Sequence, residues 1–195
     1  MALLLPLVPL KGSAPTNFNF VTDDYDRITG LKGDGSTKWL NPHIAESNDF
    51  LNNRSISTYV HPGDNTAKLT CLIGNGAGGG DNATSIFTEP DGLVSRSQNS
   101  AAFRPSGVPA VVGLIGNTRG GSAEFTTRYN GISTDTSRAT TTLTGNLNFG
   151  VFARSGGDSR TAERLRFYHI GTDINLSALD ARVSALMDTI EDALT

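Results

Sequence analysis

The chain of 195 residues holds a single cysteine, Cys71. It forms no intrachain disulfide and no cysteine zinc cluster, so its stability must come from packing. Cys71 sits in the apolar run 68–73 and reads as a small buried hydrophobe rather than a nucleophile. Charge is also scarce: Asp, Glu, Lys and Arg make up 18% of the residues, with a net charge of −3. That balance argues against nucleic acid as a partner, because phosphate binding needs a basic face, though it leaves room for a local basic patch. The most apolar stretch, Met1 to Leu10, is shorter than the ~20 residues of a membrane-spanning helix. It also lacks the basic flank and small-residue cleavage site of a signal peptide. There is no Walker A sequence and no Gly-x-Ser-x-Gly elbow. His43, His61 and His169 are scattered without metal-ligand spacing, so neither a metal nor a cofactor is expected.

Glycine is abundant, with 22 residues, and Ser, Thr and Asn are frequent. Thr suits strands, while Gly, Asn and Ser suit turns. Short alternating segments recur. Phe18 and Phe20 fall on one side of a period-two pattern, and residues 55–60 alternate cleanly. Residues 84–88 and 92–104 read as strands around the turn at Pro90, Asp91 and Gly92. Residues 108–115 read as a buried central strand ending in a turn at 117–121. Asn130-Gly131 is a strong hairpin signal. Residues 147–154 and 165–170 complete the pattern. Strands spaced roughly 8–12 residues apart, with turn chemistry between them, indicate a sandwich or barrel.

The two ends differ from this body. Residues 1–11 form an extended arm, because Pro6 and Pro9 disfavour a helix. Its apolar residues Leu3, Leu4, Leu5, Leu7, Val8 and Leu10 need a partner surface, either the chain's own body or a larger assembly. From residue 176 to 195 the spacing is helical: Leu176, Leu179, Val183, Leu186, Met187, Ile190 and Leu194 form one apolar stripe. Asp173 or Asn175 suits the N-cap. Acidic residues in the last turn oppose the helix dipole, so this end frays or is held by packing. The stripe either covers the body or forms a seam between copies, with Leu179, Val183, Leu186 and Ile190 as the contact residues.

Residues 30–40, 112–116, 146–154, 164–171 and 176–183 resemble a module of bacteriophage virion proteins. That module is similar to the concanavalin A-like lectin/glucanase superfamily, and the resemblance covers about residues 12–195. It implies an all-β, two-sheet antiparallel jelly-roll sandwich over residues 12–175, closed by one C-terminal α-helix. It also implies a phage structural origin, but it does not by itself choose an activity, because this fold hosts sugar binding, hydrolysis and pure architecture alike.

Glycanases of the superfamily use a Glu-x-Asp-x-x-Glu strand whose two glutamates share the chemistry. Here Glu89-Pro90-Asp91 is followed by Val94 where the second glutamate belongs, so no enzyme activity is expected. The pattern Gly74-x-Gly76-x-x-Gly79 follows a strand, but no helix pattern comes next to receive a pyrophosphate. Asp34, Asp64 and Asp81 lie in Gly/Asn-rich loops and read as turn formers rather than calcium ligands. Trp39, Tyr59 and Tyr129 are candidates for stacking on sugar rings, against the plainer reading of core or subunit contact. Arg154, Arg160, Arg164 and Arg166 cluster in sequence, as a contact surface or a solvated face.

The expected function is a non-enzymatic structural component of a phage virion, in the tail, fibre, baseplate or capsid decoration, that displays a lectin-like module. The alternative is a carbohydrate-binding adhesin for host surface glycans. The expected partners are other virion proteins, host glycans and copies of the same chain.

Overall fold

The computed structural model describes residues 12–46, 52–61, 69–76, 83–90, 92–99, 102–105, 112–141 and 147–195. The arm residues Leu3, Leu4, Leu5, Leu7, Val8 and Leu10 lie outside these, as do Asp64, Asp81 and Asp91.

The body is an all-β sandwich of two antiparallel sheets. One has six strands in the order β1 (Thr16–Phe18), β4 (Trp39–Asn41), β12 (Gly150–Val151), β6 (Thr70–Gly74), β7 (Ser85–Glu89) and β8 (Gly92–Arg96). The other has seven: β11 (Ile132–Ser137), β10 (Glu124–Tyr129), β9 (Gly113–Arg119), β5 (Arg54–Val60), β13 (Arg164–Gly171), β3 (Gly30–Lys32) and β2 (Tyr25–Asp26). The chain crosses between sheets repeatedly, as from β3 to β4, β4 to β5, β8 to β9 and β12 to β13. Asn130 and Gly131, both at positive φ, turn the β10–β11 hairpin.

Alternation decides what each strand buries. In β5 and β9, Ile56, Val60 and Ile115 face the opposite sheet and join Leu31, Leu40, Ile73, Ile86 and Leu165 in the main apolar core. Full burial of each such side chain contributes about 1.5–3 kcal/mol. Tyr59 and Leu114 point the other way and form a second cluster with Val183 and Met187 of the terminal helix α1 (Leu176–Leu194). Gly116 permits this approach, since a Cβ there would lie 2.9 Å from both Leu176 and Ser57.

Asn175 caps the helix, its Oδ1 accepting the Ala178 N–H at 3.0 Å. Arg128 binds Asp180 at 2.8 Å. Arg166 binds Glu191 at 2.5 Å and donates to the Met187 carbonyl at 3.3 Å. The acidic last turn is thus held by an arginine from β13, which answers the unfavourable dipole. Leu186 stands one position, about 100° of helical rotation, from the inward Met187, and it is 49% exposed. Among the described residues, no helix is long and apolar enough to cross a membrane.

Three expectations need correction. Phe18 and Phe20 do not share a side: Asn19 takes φ 63°, which breaks the alternation and sends Phe20 into the core while Phe18 stays 36% exposed. Residues 147–154 do not form one strand, because Phe152 at φ 65° curls the chain after Val151. Residues 117–119 continue β9 rather than turning, since Asn117 finds Ser95 Oγ and the Arg96 carbonyl inside the sandwich.

Candidate functional site

The three aromatic candidates occupy separate places. Trp39 on β4 is buried beneath Phe18, the two rings stacked 4.2 Å apart at 6°. The outward ring is therefore Phe18, flanked in sequence by Asn17 and Asn19. Tyr59 is half-buried under α1, with the Arg166 guanidinium 5.8 Å from its ring centre. Tyr129 is half-buried beside Phe103, with ring centres 6.1 Å apart. Of the helix candidates, Val183 is buried, Leu179 packs beside it, Ile190 is half-buried and Leu186 faces outward.

The run of four arginines splits because the chain changes sheets inside it. Arg164 donates to Thr29 Oγ1 and Arg166 docks the helix, both from the seven-stranded sheet. Arg154 and Arg160 belong to the segment that leaves β12 and returns to hydrogen-bond beside β6 of the six-stranded sheet. There Cys71, Phe87 and Val94 form a small apolar cluster separate from the main core. The backbone around Arg160 bridges Cys71, with the Cys71 N–H donating to the Ser159 carbonyl at 2.7 Å. Cys71 is wholly enclosed, and burial pushes its thiol far up, so it remains a neutral packing group.

Two arginines that the sequence reading did not single out complete this face. Arg96, two positions beyond Val94 on β8, places its guanidinium 5.8 Å from the Phe87 ring centre, and Arg154 lies 5.5 Å from the same centre. Arg104 is brought in by backbone hydrogen bonds between Phe103 and Ser95, and it pairs with Glu89. Arg154 pairs with Asp158. Burial, followed by the charges of Arg104 and Arg154, lowers the Arg96 pKa. Burial works to raise the Asp158 carboxyl, but the Arg154 hydrogen bond and charge outweigh it and hold it below its usual range. The Nε groups of Arg96 and Arg160 are buried without a hydrogen-bond partner among the described residues. Gly157, at φ 77°, lets the loop close here: a Cβ would lie 2.6 Å from Trp39 Nε1 and 2.8 Å from Arg160 Nη2. A line of contacts thus runs from Phe18 and Trp39 past Arg160, and from Arg154 over Phe87 to Arg96.

A second polar group lies between the sheets. Glu46 and Arg54, each 2% exposed, form an ion pair. Thr84 Oγ1 donates to Glu46 at 2.8 Å, Asn75 also donates to Glu46, and Arg54 reaches Thr84 and Gln98. Arg119, paired with Arg54 across β9 and β5, donates to the carbonyls of Ser97 and Arg138 at 2.9 Å and to those of Gly121 and Ser122. Its guanidinium also lies 5.4 Å from the Phe125 ring centre. This network pins the two sheets together and is closed to solvent.

Other titratable groups serve the fold. Asp34 accepts the Ser36, Thr37 and Lys38 N–H groups, so it forms a turn. Burial acts to raise its pKa, but the hydrogen bonds, led by Thr37, hold it far below the usual carboxylate range. His169 Nε2 lies 2.8 Å from Ser55 Oγ, which donates to the Thr172 carbonyl at 2.6 Å. That hydroxyl proton is engaged, so the histidine Nε2–H is the donor to Ser55. Among the described residues, no three His, Cys, Asp or Glu side chains gather as a metal site. No protein-family model, curated protein sequence or solved structure matches this chain.

Proposed function

We propose that this chain is a non-enzymatic structural component of a bacteriophage virion that presents a lectin-like sandwich. The observation that carries the reading is where the resembling segments fall. Residues 30–40, 112–116, 146–154, 164–171 and 176–183 contain β3, β4, the start of β9, β12, β13 and the first half of α1. They are strands of both sheets and the helix that backs the seven-stranded sheet, so the likeness lies in the scaffold. Glu89, the carboxylate nearest a glycanase motif, is engaged by Arg104, which suits contact better than acid–base work.

Peptide mass spectrometry of purified particles tests this reading. The chain is expected at a fixed stoichiometry to the major virion proteins, and its absence would overturn the proposal. Removing residues 2–10 is expected to prevent incorporation. Normal incorporation without them would end the role assigned to the apolar arm.

The adhesin reading is favoured by Phe18. Its exposed ring is backed by Trp39, a flat surface suited to the apolar face of a sugar. Labelled protein binding to host cells, lost after periodate treatment of their glycans, is the expected result under this reading. Periodate-insensitive binding would contradict it.

A further inference from the structure

We propose that the open edge of β13, from Phe167 to Gly171, pairs with the same edge of a second copy, so that two sandwiches share one continuous sheet. The inference goes beyond the virion and adhesin readings and depends on neither.

A strand inside a sheet is paired on both sides, whereas an edge presents a row of unmet N–H and C=O groups. β13 stays paired with β5 through Gly171, but β3 accompanies it only at Arg164 and Leu165. The β5 register slips between Leu165 and Phe167, and the β2–β3 hairpin reaches no further than its turn at 27–29. Residues 167–171 therefore have no strand on their far side among the described residues. The other sheet edges are blunted. β1 and β2 are three and two residues long, Ser95 of β8 bonds to Phe103, and β11 carries the exposed Asp135. The β13 window holds no proline and no Lys, Arg, Asp or Glu, and its Phe167, Tyr168 and Ile170 are half-buried. The terminal helix commits Val183 and Met187 to Leu114 of its own body, which leaves the β13 edge as the better contact between copies.

A two-fold antiparallel pairing that uses the whole window is centred on His169. It sets Phe167 opposite Gly171, Tyr168 opposite Ile170, and His169 opposite its own copy. An aromatic ring beside a β-branched side chain is a favourable cross-strand pair, and an aromatic ring also covers a glycine left bare on its partner strand. Burial lowers the His169 pKa, so the opposed imidazoles meet without charge at neutral pH. The chain also makes room for this pairing. After Gly171 it turns toward β5 and β9: the Asp173 N–H donates to Asn53 Oδ1 at 2.8 Å, and the Asp173 carboxylate accepts from Thr118 Oγ1 at 2.6 Å. The line of the strand beyond Gly171 is thus left to the partner's β2–β3 turn. That turn carries the exposed Arg27 and the end of β13 leads to the exposed Asp173, so opposite charges approach at both ends of the pairing.

Sedimentation equilibrium of the full chain tests the proposal. Five paired residues a side make a small interface, so dimers are expected at roughly 10–100 μM protein. His169→Glu and His169→Lys each place like charges opposite one another and are expected to weaken association by roughly tenfold or more. An equal mixture of the two variants is expected to restore it, because the register then sets Glu against Lys. Circular dichroism checks that each variant is folded. If the charged variants unfold, His169→Cys supplies the test: mild oxidation is expected to link two copies, since opposed residues in an antiparallel pair lie within disulfide reach. Cys71 is enclosed and does not compete, and Asp192→Cys on the exposed side of the helix is expected to stay unlinked. A wild-type monomer over that concentration range would overturn the proposal, and so would a dimer that survives both charged variants. A mixture that stays monomeric would overturn the pairing of His169 with itself. A full chain that dimerises only after removal of residues 2–10 would assign the edge to the chain's own arm instead.

Discussion

Arginines inside the sandwich and arginines on its outer face are held in different ways. Between the sheets, Arg119 directs donors to four backbone carbonyls, and Arg54 reaches Glu46, Thr84 and Gln98. On the outer face, Arg104 pairs with Glu89 and Arg154 with Asp158, while Arg96 lies over the Phe87 ring. A buried cation needs polar partners, because water cannot complete what the protein leaves undone. A half-buried cation at the surface keeps part of its hydration, so losing a protein partner costs less. Location and the kind of partner, rather than residue type, separate an arginine that joins the two sheets from one that lies on the outer surface.

The largest effect is expected inside. Arg54→Met leaves the Glu46 carboxylate enclosed and unpaired, and should cost ~3–5 kcal/mol in urea unfolding. Replacing Glu46 and Arg54 together by apolar residues should cost less than either single change, which a double-mutant cycle would reveal. Arg119→Gln abandons several buried carbonyls and should cost about 1–3 kcal/mol in the same measurement.

A pH series sharpens the contrast from another side. Burial lowers the His169 pKa below its usual 6.5, so in acid the unfolded chain binds the proton more readily than the folded one. The stabilisation is complete above the unfolded value and falls as pH drops through it toward the folded value. Thermal midpoints should decline across that window, and His169→Asn should flatten the decline. The smallest effect is expected outside. Arg96→Gln should change stability by less than about 1 kcal/mol, with relief of repulsion from Arg104 and Arg154 offsetting lost packing over Phe87.

Much of the scaffold was legible because it depends on period and turn chemistry. The alternation of residues 55–60, the Asn130-Gly131 turn and the stripe Leu176–Val183–Met187 each pointed to the element that forms. The failures came where single residues depart from the regular backbone. Asn19 and Phe152 at positive φ carry no strong local signal, and they redirect Phe18 and end β12. The candidate face was less legible because it is assembled across strands. Arg154 and Arg160 were visible as a cluster, but Arg164 and Arg166 fall on the other sheet. Arg96 was within reach of the alternation argument, two positions beyond Val94 on β8. Arg104 arrives through a non-local bridge between Phe103 and Ser95 that no local pattern announces.

The most direct test of this contrast is urea unfolding of Arg54→Met beside Arg96→Gln. The inner variant should unfold at clearly lower denaturant. The outer variant should keep its midpoint. A comparable loss of stability in both would contradict the account that the inner arginines hold the sheets together while the outer ones contribute little.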